Sequence, residues 1–158
     1  MFVVEPRQKR RELALALGGS GTLDPASPDW TAELVDRCDG LGPEVVFECA
    51  GAPATADAAV AAVRKDGRVV LVGVVHEPVP IRLLEVVVGE KQIVGSLQHD
   101  AHHDFPAAVH MLATGQVRAR PLITGRIQLE RVVEDGFNAL GPDSDHLKIL
   151  VGQPPLTM

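Results

Sequence analysis

Glu5 is the residue whose type and place suggest chemistry first. It closes an apolar run, Phe2-Val-Val-Glu5, and stands immediately before a stretch of helical character. In a doubly wound sheet, an acidic group at that place can accept hydrogen bonds from both hydroxyls of an adenosine ribose. Its charge would also repel a 2′-phosphate, which favours NAD over NADP. Taken alone, one acidic residue is a weak signal and reads more readily as an exposed charge at a strand end. A second cluster, His99, His102 and His103 with Asp100 and Asp104, has ligand types that zinc accepts. Pro106 and the polar run around it point instead to an exposed loop in which Asp104 favours a helix N-terminus. His76, His110 and His146 are scattered. No Ser/His/Asp or Cys/His arrangement suggests nucleophilic catalysis, and no carboxylate pair implies hydrolysis.

The elements that must position Glu5 alternate in kind. Phe2–Glu5 reads as a strand, Arg7–Leu17 as a helix stopped by Gly18, and Thr22-Leu23 as a short strand. Ser27-Pro28 supplies an N-cap and first-turn proline for a helix running to Cys38. Glu44–Glu48 and Arg68–Val74 read as strands around a helix from Ala54 to Lys65. Such alternation predicts a parallel sheet with crossover helices. Strands buried on both faces read as continuous apolar runs, as Val69-Val-Leu-Val72 does.

Beyond Val74 the rhythm loosens. Pro78 and Pro80 suit residues 75–81 to an edge segment. A short helix is expected over Leu83–Glu90 and a strand over Ile93–Leu97. A helix follows over Asp104–Thr114, then extended chain over Leu122–Leu129. Glu130–Leu140 reads as helix, Leu147–Val151 as a last strand, and the tail Gln153–Met158 as frayed. Gly18-Gly-Ser-Gly21 follows a helix and precedes a strand, the wrong end of the unit for cradling a phosphate.

Composition narrows the classes. The chain has 158 residues, 46% hydrophobic and 23% charged, which is globular rather than disordered. A net charge of −6 gives no electrostatic footprint for nucleic acid, and Arg7–Arg11 reads as the solvated face of a helix. No apolar run reaches the roughly 20 residues that span a bilayer. The N-terminal residues do not resemble a signal peptide. Cys38 and Cys49 suggest neither a disulfide framework nor a zinc finger, so a cytoplasmic protein is expected.

Taken in order, several of these runs resemble the medium-chain zinc-type alcohol dehydrogenases. They are Val3-Val-Glu-Pro6, Arg10-Arg-Glu-Leu-Ala14, Val45-Val-Phe-Glu48 with Ala50-Gly51, and Gly67-Arg-Val-Val-Leu-Val-Gly73. The similarity continues through Ile93-Val-Gly-Ser96, Asp104-Phe105, Pro121-Leu-Ile-Thr124 and Lys148-Ile-Leu-Val151. Their wording is most similar to the polyol, butanediol and threonine dehydrogenase branches. The resemblance implies that Glu5 and Arg10 sit at the adenosine ribose and that Ala50 and Gly51 line the adenosine cleft. It also implies that Val72, Gly73, Val74 and Val94 lie along the nicotinamide, and that Lys148 supplies a cation to the pyrophosphate. An exposed lysine on an edge strand is an equal reading of Lys148.

The same resemblance implies an α/β Rossmann-type parallel sheet lacking its first strand and glycine-rich turn. That partial NAD-binding domain would cover 1–95, with 96–158 the C-terminal α+β segment of a catalytic domain. The GroES-like body, which in the family carries zinc ligands and a proton relay, has no counterpart in this sequence, and position 125 is Gly where many relatives have His. No catalytic residue and no metal ligand is therefore assigned. Because the first strand lies centrally in the order 3-2-1-4-5-6, two outcomes follow. Either the strand at 2–5 pairs with that at 44–48, or two half-sheets leave unpaired edges. The implied activity is hydride transfer between a secondary alcohol or polyol and NAD, with zinc in the full-length family, and the chain is expected to be inactive alone. A homodimer through the 79–81 edge is implied as well. The alternative is a non-catalytic module that binds nucleotide or another subunit.

Overall fold

The computed structural model describes residues 1–97, 100–141 and 144–152. The chain forms two compact units, Met1–His99 and Asp100–Met158. In the first, β1 (Phe2–Val4), α1 (Gln8–Ala16) and β2 (Gly21–Leu23) make one βαβ unit. Then come α2 (Trp30–Asp36), β3 (Val45–Glu48), α3 (Pro53–Ala62), β4 (Arg68–Leu71), α4 (Leu83–Val88) and β5 (Gln92–Gly95).

Of the two sheet outcomes, the structure takes the second. β1 and β2 form a two-stranded parallel sheet, and β3-β4-β5 form a separate three-stranded parallel sheet. In a parallel ladder, alternate residues bond to opposite neighbours. The carbonyls of Glu44 and Glu48 bond toward β4, so the amides of Val45 and Phe47 point to the other, unpaired side of β3. Phe47 is 65% exposed, unusual for an aromatic residue in a strand interior.

Helix α3 joins the two half-sheets. Ala59, Val60 and Val63 pack with Val69 of β4, which is fully buried, and with Val46, Leu71, Val86 and Ile93. One residue before Val63, Ala62 packs with Leu23 of β2 and Leu34 of α2, bordered by Phe2, Trp30 and Cys38. Pro53 starts the helix where its missing N–H has no intrahelical partner to lose. Small side chains then let the helix lie close to both sheets.

Several boundaries differ from the sequence expectation. Helix α2 begins at Trp30, not at Ser27-Pro28, because Asp24 organises a turn there: its Oδ1 accepts from Ala26 N at 2.9 Å and its carbonyl from Ser27 N at 3.0 Å. Helix α3 ends at Ala62 instead of Lys65, where Arg64 N bonds to Pro43 O at 3.0 Å. Strand β4 stops at Leu71 rather than Val74, since Val72 N and Gly73 N both turn to the Glu48 carbonyl, at 2.8 and 2.9 Å. Residues 72–82 form no strand.

The second unit holds α5 (Asp104–Ala113), a 3-10 turn at Arg120–Leu122, β6 (Ile123–Gln128) and β7 (Lys148–Gly152). β6 and β7 pair in parallel, with an irregularity between Ile123 and Gly125. The expected helix over Glu130–Leu140 is instead a 3-10 turn at Leu129–Arg131, a π-helical turn at Val132–Phe137 and a 3-10 turn at Asn138–Leu140. Two adjacent valines and Gly136 are poor α-helix formers. Gly136 is also buried against Ile127: a Cβ placed on it would lie 3.1 Å from Ile127 Cδ1. The tail beyond Gly152 and His99 lie outside the described residues.

Candidate functional site

The carboxyl ends of β1, β3 and β4 carry most of the residues singled out in the sequence. In open parallel sheets, ligands bind in the crevice outside these ends. Glu5 follows β1, and its amide still bonds to Leu23 O of β2 at 3.1 Å. Its Oε1 accepts from Arg7 N at 2.9 Å, and Arg10 Nη1 lies 3.9 Å from its Oε2. Glu5 and Arg10 are therefore neighbours. Arg11, which the sequence did not single out, fixes this corner more firmly. It donates to the carbonyls of Glu5 and Pro6 at 2.7 and 2.8 Å and pairs with Asp24 at 3.0 Å.

After β3, Ala50 and Gly51 form a turn in which Gly51 takes φ +68°, a region open to glycine. After β4, Gly73 comes against that turn with no side chain between. A Cβ on Gly73 would lie 2.2 Å from Gly51 N, and one on Gly51 would lie 2.8 Å from Val74 O. Both glycines are thus required by close backbone approach.

Glu48 lies beneath the crossing. It is 4% exposed and is the one charged residue buried among those described. Its Oε1 accepts from Ala50 N at 2.8 Å and Gly51 N at 3.0 Å, and Thr55 Oγ1 stands 2.8 Å away. In the sequence Glu48 stands only as the end of a strand-forming run. The available signal was an acid ending an otherwise apolar strand, followed by Ala-Gly and then a helix-starting proline. Cys49, next to it, has its thiol pushed up by desolvation first and by the Glu48 charge second.

An apolar cavity of about 490 Å³ opens beside the crossing, lined in part by Glu48, Val60, Val72, Gly73, Val74 and Ile93. That volume lies within the range of small-molecule sites, roughly 300–1,000 Å³. Val94 of β5 pairs with Val70 of β4 and is 43% exposed. Lys148 belongs to the second unit, where it opens β7 and is exposed. Asp100 and His103 meet at 2.8 Å, and Asp104 accepts from Asp100 N at 2.7 Å. Among the described residues no group of three or more His, Cys, Asp or Glu is placed to hold a metal. Nor is any helix among them long and apolar enough to cross a membrane.

A parallel sheet flanked by crossover helices, with small residues at its carboxyl ends, defines a Rossmann-type α/β protein. Residues 1–114 match the family model described as zinc-binding dehydrogenase, and the chain belongs to that family. Human sorbitol dehydrogenase is 37% identical over 108 residues, covering 68% of this chain and 30% of its own length. The (R,R)-butanediol dehydrogenase of Bacillus subtilis is 30% identical over 152 residues, 96% of this chain and 43% of its own. The crystal structure of 2R,3R-butanediol dehydrogenase from that organism superposes with a TM-score of 0.86 at 30% identity, over 97% of this chain and 43% of that one. A zinc-binding dehydrogenase from Sinorhizobium meliloti, bound to NADP, superposes with a TM-score of 0.85 at 26% identity, over 95% of this chain and 44% of that one. This chain thus spans less than half the length of these relatives.

Proposed function

We propose that this chain supplies the dinucleotide-binding face of a dehydrogenase that transfers hydride between a secondary alcohol or polyol and NAD. The observation that carries the reading is the bare crossing of Gly51 and Gly73 at the carboxyl ends of β3 and β4. A cofactor can approach the main chain there, because no side chain intervenes. Glu5 stands at the end of β1, where among the described residues the nearest partner seen at Oε2 is Arg10 at 3.9 Å, leaving it able to accept from a ribose hydroxyl. Val72, Gly73 and Val74 would run beside the nicotinamide, with Val94 on the neighbouring strand. When bound, the dinucleotide supplies the hydride acceptor, and these residues orient and shield it. The described residues do not fit a catalytic zinc, so no metal step is assigned to them.

Calorimetry with NAD and NADP on the purified chain tests this directly. NAD should bind more tightly than NADP, since the Glu5 carboxylate repels a 2′-phosphate. Glu5→Ala should weaken NAD by at least about tenfold and narrow that preference, as expected from losing one hydrogen bond to a charged acceptor, worth roughly 1.5–3 kcal/mol. No binding of either nucleotide at millimolar concentration would overturn the reading.

A subunit-interaction role has its own support. Leu83, Leu84, Val87 and Val88 of α4 are all more than half exposed and follow directly on the 79–81 segment. Exposed apolar surface of this kind marks association sites. A twofold homodimer through 79–81 would cover it, and sedimentation showing only monomer at high concentration would remove that proposal.

A further inference from the structure

The strongest unexplained feature is the buried charge of Glu48. No ion pair to it is seen among the described residues, and its carboxylate is answered only by two backbone N–H groups and the Thr55 hydroxyl. Burying a carboxylate without a cation costs several kcal/mol unless hydrogen bonds offset it. A glutamate at that depth needs a reason. The core around it would be served as well by an apolar residue, since its neighbours along the cavity are Ala56, Val60 and Leu71.

The geometry gives one. Both N–H groups that Glu48 holds belong to Ala50 and Gly51, the turn that presses on Gly73 and Val74. Its other oxygen, Oε2, lies where a Cβ on Gly73 would come within 2.6 Å, and its carbonyl receives Val72 N and Gly73 N. One residue thus fixes the turns after β3 and β4, through its side chain and its main chain respectively. Thr55 ties the same carboxylate to the first turn of α3, with its Oγ1 also 2.8 Å from Ala52 O.

We propose that Glu48 is a positioning residue of the nucleotide cleft. Its carboxylate holds the Ala50-Gly51 turn down onto Gly73, and so sets the height of the floor on which the adenosine part of the cofactor lies. The inference rests on the nucleotide-binding reading above. Glu48 touches no substrate or cofactor itself; it acts through the turn it holds. Glutamine can keep the oxygen that faces Ala50 N and Gly51 N, but it loses the charge that strengthens both bonds and puts an N–H₂ group against Gly73. The fold should survive that change while the floor shifts.

The test measures ADP-ribose affinity by calorimetry, amide exchange at Ala50 and Gly51, and the unfolding midpoint, for the unmodified chain, Glu48→Gln and Thr55→Val. The expected result for Glu48→Gln is about tenfold weaker ADP-ribose binding, faster exchange at those two amides and a midpoint within a few degrees of the original. Thr55→Val, which leaves the carboxylate in place, should show a smaller loss in the same direction. A merely structural glutamate would lower the midpoint and leave the affinity of the folded fraction unchanged, which overturns the proposal. Unchanged affinity and exchange in Glu48→Gln overturns it too. If the unmodified chain fails to bind ADP-ribose, the nucleotide-binding reading falls and takes this inference with it, a result distinct from the other two.

Discussion

Helices α3 and α5 have the same length, ten residues, and both are rich in alanine and other apolar residues. Their surroundings are opposite. In α3 four residues are buried, Ala56, Ala59, Val60 and Ala62. In α5 none is, and every residue from Asp100 to Arg118 is exposed, Phe105 at 63%. Apolar composition therefore does not decide burial here. Helix α3 lies on two sheet surfaces that its small side chains fit, whereas α5 presents Phe105, Val109, Met111 and Leu112 to nothing among the described residues. An isolated helix shorter than about 12–15 residues is marginal in water. The ordering of α5 rests on local bonds, and that of α3 on packing.

The largest test of this contrast places the same charge in each helix. Val60→Asp puts an unpaired carboxylate at a site 2% exposed, beside Val69, and should destabilise residues 1–97 by about 3–5 kcal/mol. Urea denaturation would then show an early or absent transition. Val109→Asp, at a site 49% exposed, should change stability by no more than about 0.5 kcal/mol and improve solubility. Equal losses from both would break the comparison, because they would mean that the α5 face is covered in solution.

Hydrogen exchange sharpens it residue by residue. Amides in α3 should exchange only through large-scale unfolding, while those of α5 exchange almost as freely as a loop. Within the three-stranded sheet, Val69 and Val46 should be slow. Val45 and Phe47, whose amides face the unpaired side of β3, should be fast. Slow exchange at Phe47 would show that this edge has found a partner.

How far the sequence disclosed these differences follows from what each signal reports. The parallel βα order was legible because Val45-Val-Phe and Val69-Val-Leu are β-branched runs bounded by Gly and Pro, and those preferences are local. The open edge between β1 and β3 was legible only as one of two alternatives. Which one forms depends on how α3 spans Leu23 and Val69, and no local pattern carries that. Element ends were missed where a side chain reached into the backbone: Asp24 delayed α2, and the Glu48 carbonyl ended β4. Glu5 stood out by its place before a helix. The role of Glu48 was hidden because it needs the through-space meeting of Gly51 and Gly73, twenty-two positions apart in the chain.

The smallest effect concerns how each helix meets a carboxylate at its start. At α3 the acid is Glu48, buried and bonded to backbone. Before α5 it is Asp100, exposed, which accepts from His102 N at 2.8 Å and lies 2.8 Å from His103 Nδ1. The hydrogen bond from His103, and after it that from His102 N–H, holds the Asp100 carboxyl below the usual carboxylate range. Since the lowered value belongs to the folded turn, whatever the turn gains is complete above the ordinary carboxylate range and lost as pH falls through the lowered one. His103→Ala should move Asp100 back toward its ordinary value in an NMR titration, as should high salt, because an exposed pair is screened. The melting of residues 1–97 should not respond to His103→Ala. An Asp100 that already titrates normally in the unmodified chain would mean that the turn before α5 does not persist in solution, leaving that helix without even its local support.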